Sequence, residues 1–583
     1  MSAGWFRWAL DSPRVRRTLA GGLAAVGVAS VTTGLAASGT SAGLAPAGVS
    51  DAVSAASPFG SGSRPNVVVV MVDDMRADDL RFAPTIRHLA DTEGVTFQNS
   101  FSPYPLCAPS RASFLTGEYA HNHGVLWHHR PYGYAAFDDS RTLATSLRDA
   151  GYHTGLVGKY ENGYGGMPSK VTGRSSLHYV PNGWDEWRAS LTAPPGAGVD
   201  GDTYNFMDIA LSHNGRIQDD RDGQYSTDVI GAQARDVVGE FSRSRKPFFL
   251  DVAFVAPHAG GPRDPEDPGI TADPSRGRYR MPTTYVAKKY RGRFDAEIER
   301  GAGLPADGGP AEADVSDKPY FFREQDEPTT AQRAALRTAT VQRANAIGAV
   351  DQQVGRLVKR LRDLGEWKNT VLVFTSDNGY FLGEHRQLDG KVHGHEPALR
   401  VPMVITGPGF RDGAHGRERF DPISTVDLSA TVLDLAGAQP PRRADGTSKV
   451  TTLLEGDQGW STGIVTESLV HRKGRRAGFD NARGAIGVRT ARYSMMLYRT
   501  GASELYDLAK DPREQTNLWK DPAYRSVRRD LEQVWWQLHD CRGAECRTPL
   551  PASLAASPEE EADLGHTYWR RIESDYSYRN LPR

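Results

Sequence analysis

The chain has 583 residues, a formal net charge of −1, 24% charged residues and 39% hydrophobic residues. This is the composition of a soluble globular protein, too long for one small core, so two domains are the first expectation. The charge balance carries no footprint of nucleic acid or of an anionic membrane, and neither is expected as a partner.

Residues 1–42 read as an export signal. Arg14, Arg16 and Arg17 precede an apolar, small-residue stretch from Leu19 to about Ala37, and Thr40-Ser41-Ala42 suits cleavage. The arginine pair points to the twin-arginine route, with secretion or cell-surface display as the destination. Residues 43–63 read as a flexible linker. The remainder divides into a main domain at 64–445, a smaller subdomain at 446–547 and a tail at 548–583.

Four short, β-branched runs read as buried parallel strands, each ending in polar residues. Asn66 to Val72 ends in Asp73-Asp74. Thr154 to Val157 ends in Gly158-Lys159. Phe248 to Val255 ends in Pro257-His258, and Val371 to Thr375 ends in Ser376-Asp377-Asn378-Gly379. Helices are expected at Leu143–Ala150, Ala344–Leu364 and Thr425–Leu435, and near Leu531–Leu538. Residues 259–330, rich in Pro, Gly and charge, read as a long surface insertion. The fold class is α/β, with a large, mostly parallel sheet between helices and a smaller C-terminal α+β subdomain. In such sheets ligands bind beyond the carboxyl ends of the strands. One crevice would therefore collect Asp73, Asp74, Lys159, His258, Asp377 and Asn378.

Asp73, Asp74, Asp377 and Asn378 offer only oxygen ligands, which suits Ca²⁺, with Mg²⁺ second. Three carboxylates sharing a site need such a cation. Cys107 opens the segment Cys107-Ala-Pro109-Ser110-Arg111-Ala-Ser-Phe-Leu-Thr-Gly117. Pro109 suits a first helical position and Gly117 the far end. A helix N-terminus favours a bound oxyanion. A free cysteine by itself is more often a small buried hydrophobe. The other two cysteines, Cys541 and Cys546, read as a local disulfide in an oxidising compartment. Arg111, Lys159, Lys391 and His258 add positive charge and donors, and His258 or Lys391 would protonate a leaving alcohol.

These motifs resemble the type I sulfatases of the alkaline-phosphatase superfamily. The likeness runs from about Pro65 to Leu518 and includes the Cys107 segment, Asp73-Asp74, Gly158-Lys159, Ala256-Pro257-His258 and Asp377-Asn378-Gly379. It also takes in Lys391 with Glu396, and Glu504 to Leu518. The resemblance implies that Cys107 is oxidised to formylglycine by a formylglycine-generating enzyme before folding. The formylglycine hydrate would join the metal ligands and attack sulfur. Catalytic roles then fall to Cys107, Arg111, Lys159, His258 and Lys391.

One departure stands out. Many members of the family carry Gly-Lys-Trp-His, but here Gly158-Lys159-Tyr160-Glu161-Asn162 has no histidine two places after the lysine. Glu161, His393 and His395 are candidates for that role, and Glu161, Asn162, His393 and His395 are expected around the substrate. The Lys-Tyr-x-Asn form resembles the N-acetylglucosamine-6-sulfatase and heparan endosulfatase branch, which implies a sulfated sugar or small molecule as substrate. Trp184, Trp187, Tyr160 and Tyr164 suit either a sugar platform or the core. Two rival readings are a phosphate or phosphonate monoester hydrolase on the same scaffold and an inactive surface glycan-binding protein.

Overall fold

The computed structural model describes residues 64–269, 271–273, 277–411, 413, 417–468 and 483–576. The expected export signal and linker lie outside the described residues. The main sheet is built from β1 (Asn66–Val72), β2 (Gly94–Phe97), β3 (His153–Gly158), β4 (Glu186–Ser190), β5 (Leu211–His213), β6 (Arg216–Gln218), β7 (Phe248–Ala253), β8 (Thr370–Ser376), β9 (Met403–Thr406) and β10 (Glu418–Arg419). Their order is β10-β2-β9-β8-β1-β7-β3-β4-β5-β6. The five strands from β8 to β4 run parallel, and antiparallel strands close both sides.

The central strands read as unbroken apolar runs because both faces are covered. In β1, Val67, Val69 and Met71 join one core with Ala108, Ala112, Leu428 and Val432. Val68, Val70 and Val72 join the other with Ile230, Val350 and Val354. The covering helices are α1 (Cys107–Thr116), α2 (Leu143–Asp149), α3 (Ser226–Phe241), α4 (Thr330–Asp363) and α5 (Thr425–Leu435).

A second sheet of β11 (Ile464–Ser468), β12 (Ala485–Arg489), β13 (Tyr493–Tyr498) and β14 (Ser503–Asp507) is antiparallel throughout. Helix α6 (Arg525–Leu538) packs on it, and its Trp535 Nε1 donates to the Ile486 carbonyl at 3.0 Å. Cys541 is joined to Cys546. The tail forms a long helix, α7 (Pro558–Tyr576), which lays Tyr568, Trp569, Ile572 and Tyr576 against Ala77 of the main domain.

Three expectations change. Helix α1 begins at Cys107, so Pro109 occupies its third position rather than its first. Proline is tolerated there because first-turn N–H groups have no helical acceptor anyway. Helix α4 begins fourteen residues before Ala344, at Thr330, where Thr329 and Gln332 form a capping box. Its first turns bury Ala335, Leu336 and Ala339, and the two alanines give little periodic signal. The 259–330 segment is largely loop but not superficial: Met281, Phe294, Ile298, Leu304 and Phe322 are all buried.

Candidate active site

The parallel strands deliver their polar ends together. Asp73 and Asp74 follow β1, Lys159 follows β3, His258 follows β7, and Asp377 and Asn378 follow β8. Helix α1 brings Cys107 at its first residue and Arg111 one turn later. All but His258 are at least 97% buried. Asp74 holds φ 72°, and its amide donates to Asp377 Oδ1 at 3.2 Å. Asn378 Nδ2 donates to Asp74 Oδ1 at 2.6 Å.

The cations are interleaved with these carboxylates. Lys159 is hydrogen-bonded to Asp73, and Lys391 to Asp74. Lys391 also donates to Cys107 Sγ at 2.8 Å, and that thiol donates to Asp73 Oδ1 at 3.2 Å. Arg111 Nε pairs with Asp377 Oδ2 at 2.8 Å, and its Nη1 donates to the Lys159 carbonyl at 2.9 Å. His258 Nδ1 lies 2.6 Å from the Ala259 carbonyl, and its Nε2 lies 3.7 Å from Asp74.

Burial raises the Asp73 carboxyl, but Lys159, His258, Lys391 and Arg111 together hold it well below the usual range. Burial and then the Asp73 charge push Asp377 up to about 6. Burial and Asp73 also push the Cys107 thiol well up, against Lys159 and Lys391. A thiol held neutral is a poor nucleophile. Burial lowers His258 and outweighs its two aspartates, so the imidazole stays neutral, with Nδ1–H on Ala259 and a lone pair at Nε2.

The donor set fits a hard cation. Asp73, Asp74 and Asp377 converge, and Asn378 Oδ1 is buried without a hydrogen-bond partner. Arg111 Nη2 is likewise buried and unpartnered, a donor left for an anion.

Residues 65–438 match the family model described as Sulfatase. The chain belongs to the sulfatase family. It is a sulfuric ester hydrolase of the type I class, near the N-acetylglucosamine-6-sulfatase branch. A second model, the C-terminal domain of N-sulphoglucosamine sulphohydrolase, matches residues 383–541. The chain is 28% identical to a Volvox carteri arylsulfatase, over 83% of its own length and 76% of that protein. It is 26% identical to human N-acetylglucosamine-6-sulfatase, over 83% of itself and 86% of that protein. It is 30% identical to a Drosophila melanogaster extracellular sulfatase, but spans only 33% of that longer protein. Among solved structures, one in complex with its substrate D-glucosamine-2-N,6-O-disulfate has a TM-score of 0.58 at 22% identity, covering 81% of this chain and 97% of that one. A phosphonate monoester hydrolase of Agrobacterium radiobacter has a TM-score of 0.55 at 24% identity, covering 85% and 99%. Both share the fold of this chain.

The remaining residues of the sulfatase take varied places. Glu161 is 4% exposed, and both of its carboxylate oxygens lack hydrogen-bond partners. Burial pushes its acid well up against Arg111 and Lys159. Asn162 donates to the Tyr204 hydroxyl at 2.6 Å, and the Tyr204 ring packs on both His258 and Lys159. His393 stacks on Phe321 at 4.5 Å, and His395 lies 3.4 Å from Glu504 of β14. Both turn into the seam between the two sheets, alongside Phe321, Phe322 and Tyr506. Tyr160, Tyr164, Trp184 and Trp187 form a buried aromatic cluster that cannot serve as a sugar platform.

Sequence reasoning passed over His128. Its loop is fastened beside the site, because Tyr104 donates to the Leu126 carbonyl at 2.7 Å and Trp127 packs with Leu106 and Val392. His128 Nε2 is buried without a hydrogen-bond partner. Burial, then the charges of Lys391, Lys159 and His258, push the imidazole well below its usual pKa. The only signal in the sequence is the Trp127-His128-His129 cluster just after the signature helix.

Proposed function

We propose that this sulfatase hydrolyses the sulfate ester of a sugar, N-acetylglucosamine 6-sulfate or a related unit, with Cys107 carried as formylglycine. The carrying observation is the Cys107 environment. A thiol held neutral beside three carboxylates makes little sense as a thiolate nucleophile but suits a position awaiting an oxygen function. A formylglycine-generating enzyme acting before folding would be the partner that supplies it, since position 107 is fully buried afterwards.

Asp73, Asp74, Asp377 and Asn378, with the group at 107, would hold Ca²⁺, Mg²⁺ being the poorer fit. When bound, the cation supplies Lewis-acid polarisation of a sulfuryl oxygen. The chain's own residues do the rest. Lys159, Lys391 and Arg111 place fixed positive charge where the sulfuryl oxygens gain negative charge. Lys391, kept as a protonated ammonium against its burial by the neighbouring Asp74, supplies the proton the departing sugar oxygen needs, while His258, neutral and oriented by Ala259, can accept a proton at Nε2. His128 approaches from the opposite loop as a second neutral imidazole, in the absence of a histidine at position 161. The sugar preference is supported by the names of the relatives and by the Lys159-Tyr160-Glu161-Asn162 motif. Secretion is supported by the basic and apolar residues 1–42 and by the extracellular naming of relatives. Among the described residues no helix is long and apolar enough to cross a membrane.

Two measurements test the reading. The mass of the peptide containing Cys107 is expected to report formylglycine. Turnover of sulfate esters, glucosamine 6-sulfates among them, is expected to exceed that of phosphate and phosphonate esters and to vanish in Cys107→Ala. Preference for phosphorus, or unmodified cysteine in active protein, would overturn it.

A further inference from the structure

Away from the active site, three acids from three segments meet under the tail. Asp421 follows β10, Asp457 follows the short helix Val450–Glu455, and Glu561 lies in the first turn of α7. One carboxylate oxygen from each lies within 4.8 Å of the others.

The two aspartates are held rigidly, each by the backbone of the other's loop. Asp421 Oδ1 accepts from the Gln458 and Gly459 amides at 2.8 and 2.9 Å. Asp457 Oδ1 accepts from the Phe420 and Asp421 amides at 2.8 and 3.0 Å. Thr452 Oγ1 donates to Asp421 Oδ2.

Glu561 gives the independent indication of a ligand. It is 1% exposed, and both of its carboxylate oxygens are buried without a hydrogen-bond partner. Capping does not require it. Glu560 Oε2 accepts from the Ser557 amide at 2.9 Å, and Ser557 Oγ accepts from the Glu560 amide at 3.3 Å. An acid at the first turn of a surface helix ordinarily faces water, but this one turns inward onto two more acids.

We propose that Asp421, Asp457 and Glu561 form a second hard-cation site, a Ca²⁺ clamp that fastens helix α7 to the main sheet. The ligand set is all oxygen, from three separate carboxylates, which suits Ca²⁺ better than a transition metal. A divalent cation would give the two buried Glu561 oxygens a partner.

The clamp sits at one end of a strap. Beyond it Phe420 packs on His566 at 4.7 Å, and Arg400 lies 4.2 Å over the Tyr568 ring. Tyr568, Ile572 and Tyr576 then cover Ala77, three residues after Asp74. Calcium at the clamp would therefore steady the segment that follows the catalytic aspartates. This inference does not depend on the substrate or on the modification of Cys107.

Calcium retained per chain after gel filtration in calcium-free buffer is the deciding measurement, together with the rise in Tm on adding Ca²⁺. Glu561→Gln is nearly isosteric and is expected to retain one equivalent fewer than the wild-type chain and to lose most of the Tm rise. Its hydrolysis at low temperature should stay within about twofold of wild type. Asp457→Asn should behave alike, whereas Asp377→Asn, altered only in the active site, should keep the Tm response of the clamp. Equal calcium content and equal Tm response in wild type and Glu561→Gln would overturn the proposal and leave a proton shared between Glu561 and Asp421. If neither clamp variant folds, the Asp377→Asn chain decides: a Tm unmoved by Ca²⁺ overturns the proposal, and a clear rise supports it.

Discussion

Val392 holds φ 90° next to Lys391, in a region that β-branched residues avoid. Its amide donates to the Pro105 carbonyl at 3.0 Å, and its side chain packs on Tyr104 and Leu106. These contacts hold the strained backbone beside Lys391, whose Nζ donates to the Cys107 sulfur at 2.8 Å. In Val392→Gly, relief of roughly 1–3 kcal/mol of strain opposes a lost burial of about 1.5–3 kcal/mol and a glycine entropy cost of about 0.4–1 kcal/mol. Stability is expected to fall by only about 1 kcal/mol, while kcat falls about tenfold or more as Lys391 loosens. Urea unfolding and steady-state kinetics separate the two effects. His128→Ala is expected to lower kcat by about 10²-fold with an unchanged near-ultraviolet CD spectrum. The contrast between these residues shows what a sequence displays. Asp73, Lys159, His258 and Asp377 were legible because a parallel sheet presents strand ends in order. His128 was not, since its approach depends on a hydrogen bond from Tyr104 to Leu126, between loops with no periodicity.

The elements were legible in proportion to how evenly they are buried. Strand β1 came out to the residue, Asn66 to Val72, because burial on both faces leaves a continuous β-branched run. Helix α5 likewise matched Thr425–Leu435. The start of α4 was hidden by alanines, and although Tyr568 to Tyr578 reads as a helix or strap, its place was hidden because it packs on a distant surface around Ala77 and Phe420. Strand β3 carries a constraint that shows only in three dimensions. Gly158 holds φ 101°, and a Cβ there would meet the Ala253 carbonyl oxygen at 2.1 Å. Glycine lets the chain leave the sheet and turn Lys159 onto Asp73. Gly158→Ala is expected to cost about 3 kcal/mol and to reduce activity at least as severely as its stability loss predicts. Denaturant midpoints beside kcat/KM check this, and a midpoint equal to wild type would refute the packing argument.

Across the whole molecule, the two sheets are joined by buried charge rather than by grease alone. Glu396 pairs with Arg400 at 2.6 Å and with Arg489 of β12 at 2.8 Å. Glu467 of β11 pairs with Arg483 at 2.6 Å and with His121, in the turn after α1, at 3.2 Å. Such pairs cannot be read from a sequence, because their partners lie 93 and 346 residues apart along the chain. They make the seam sensitive to pH. Burial opposes the Glu467 charge, but His121 and Arg483 prevail and hold its carboxyl down at about 2, from an ordinary 4.5. A depressed folded-state pKa gives stability that is present above 4.5 and is lost as pH falls through about 2. The shift corresponds to about 3 kcal/mol, within the cost expected for breaking a buried pair from one side. Glu467→Gln should therefore lower stability by about 3 kcal/mol at pH 6, and the gap between variant and wild type should close steadily between pH 4.5 and about 2. His121 works from the other side. Burial lowers its pKa but Glu467 raises it further, so its contribution is complete below about 6.5 and fades as pH rises through the raised value. Urea midpoints measured from pH 3 to pH 9 are expected to show the largest gap in the weakly acidic range. A gap that stays constant across that range would show that Glu467 acts by packing and not by charge.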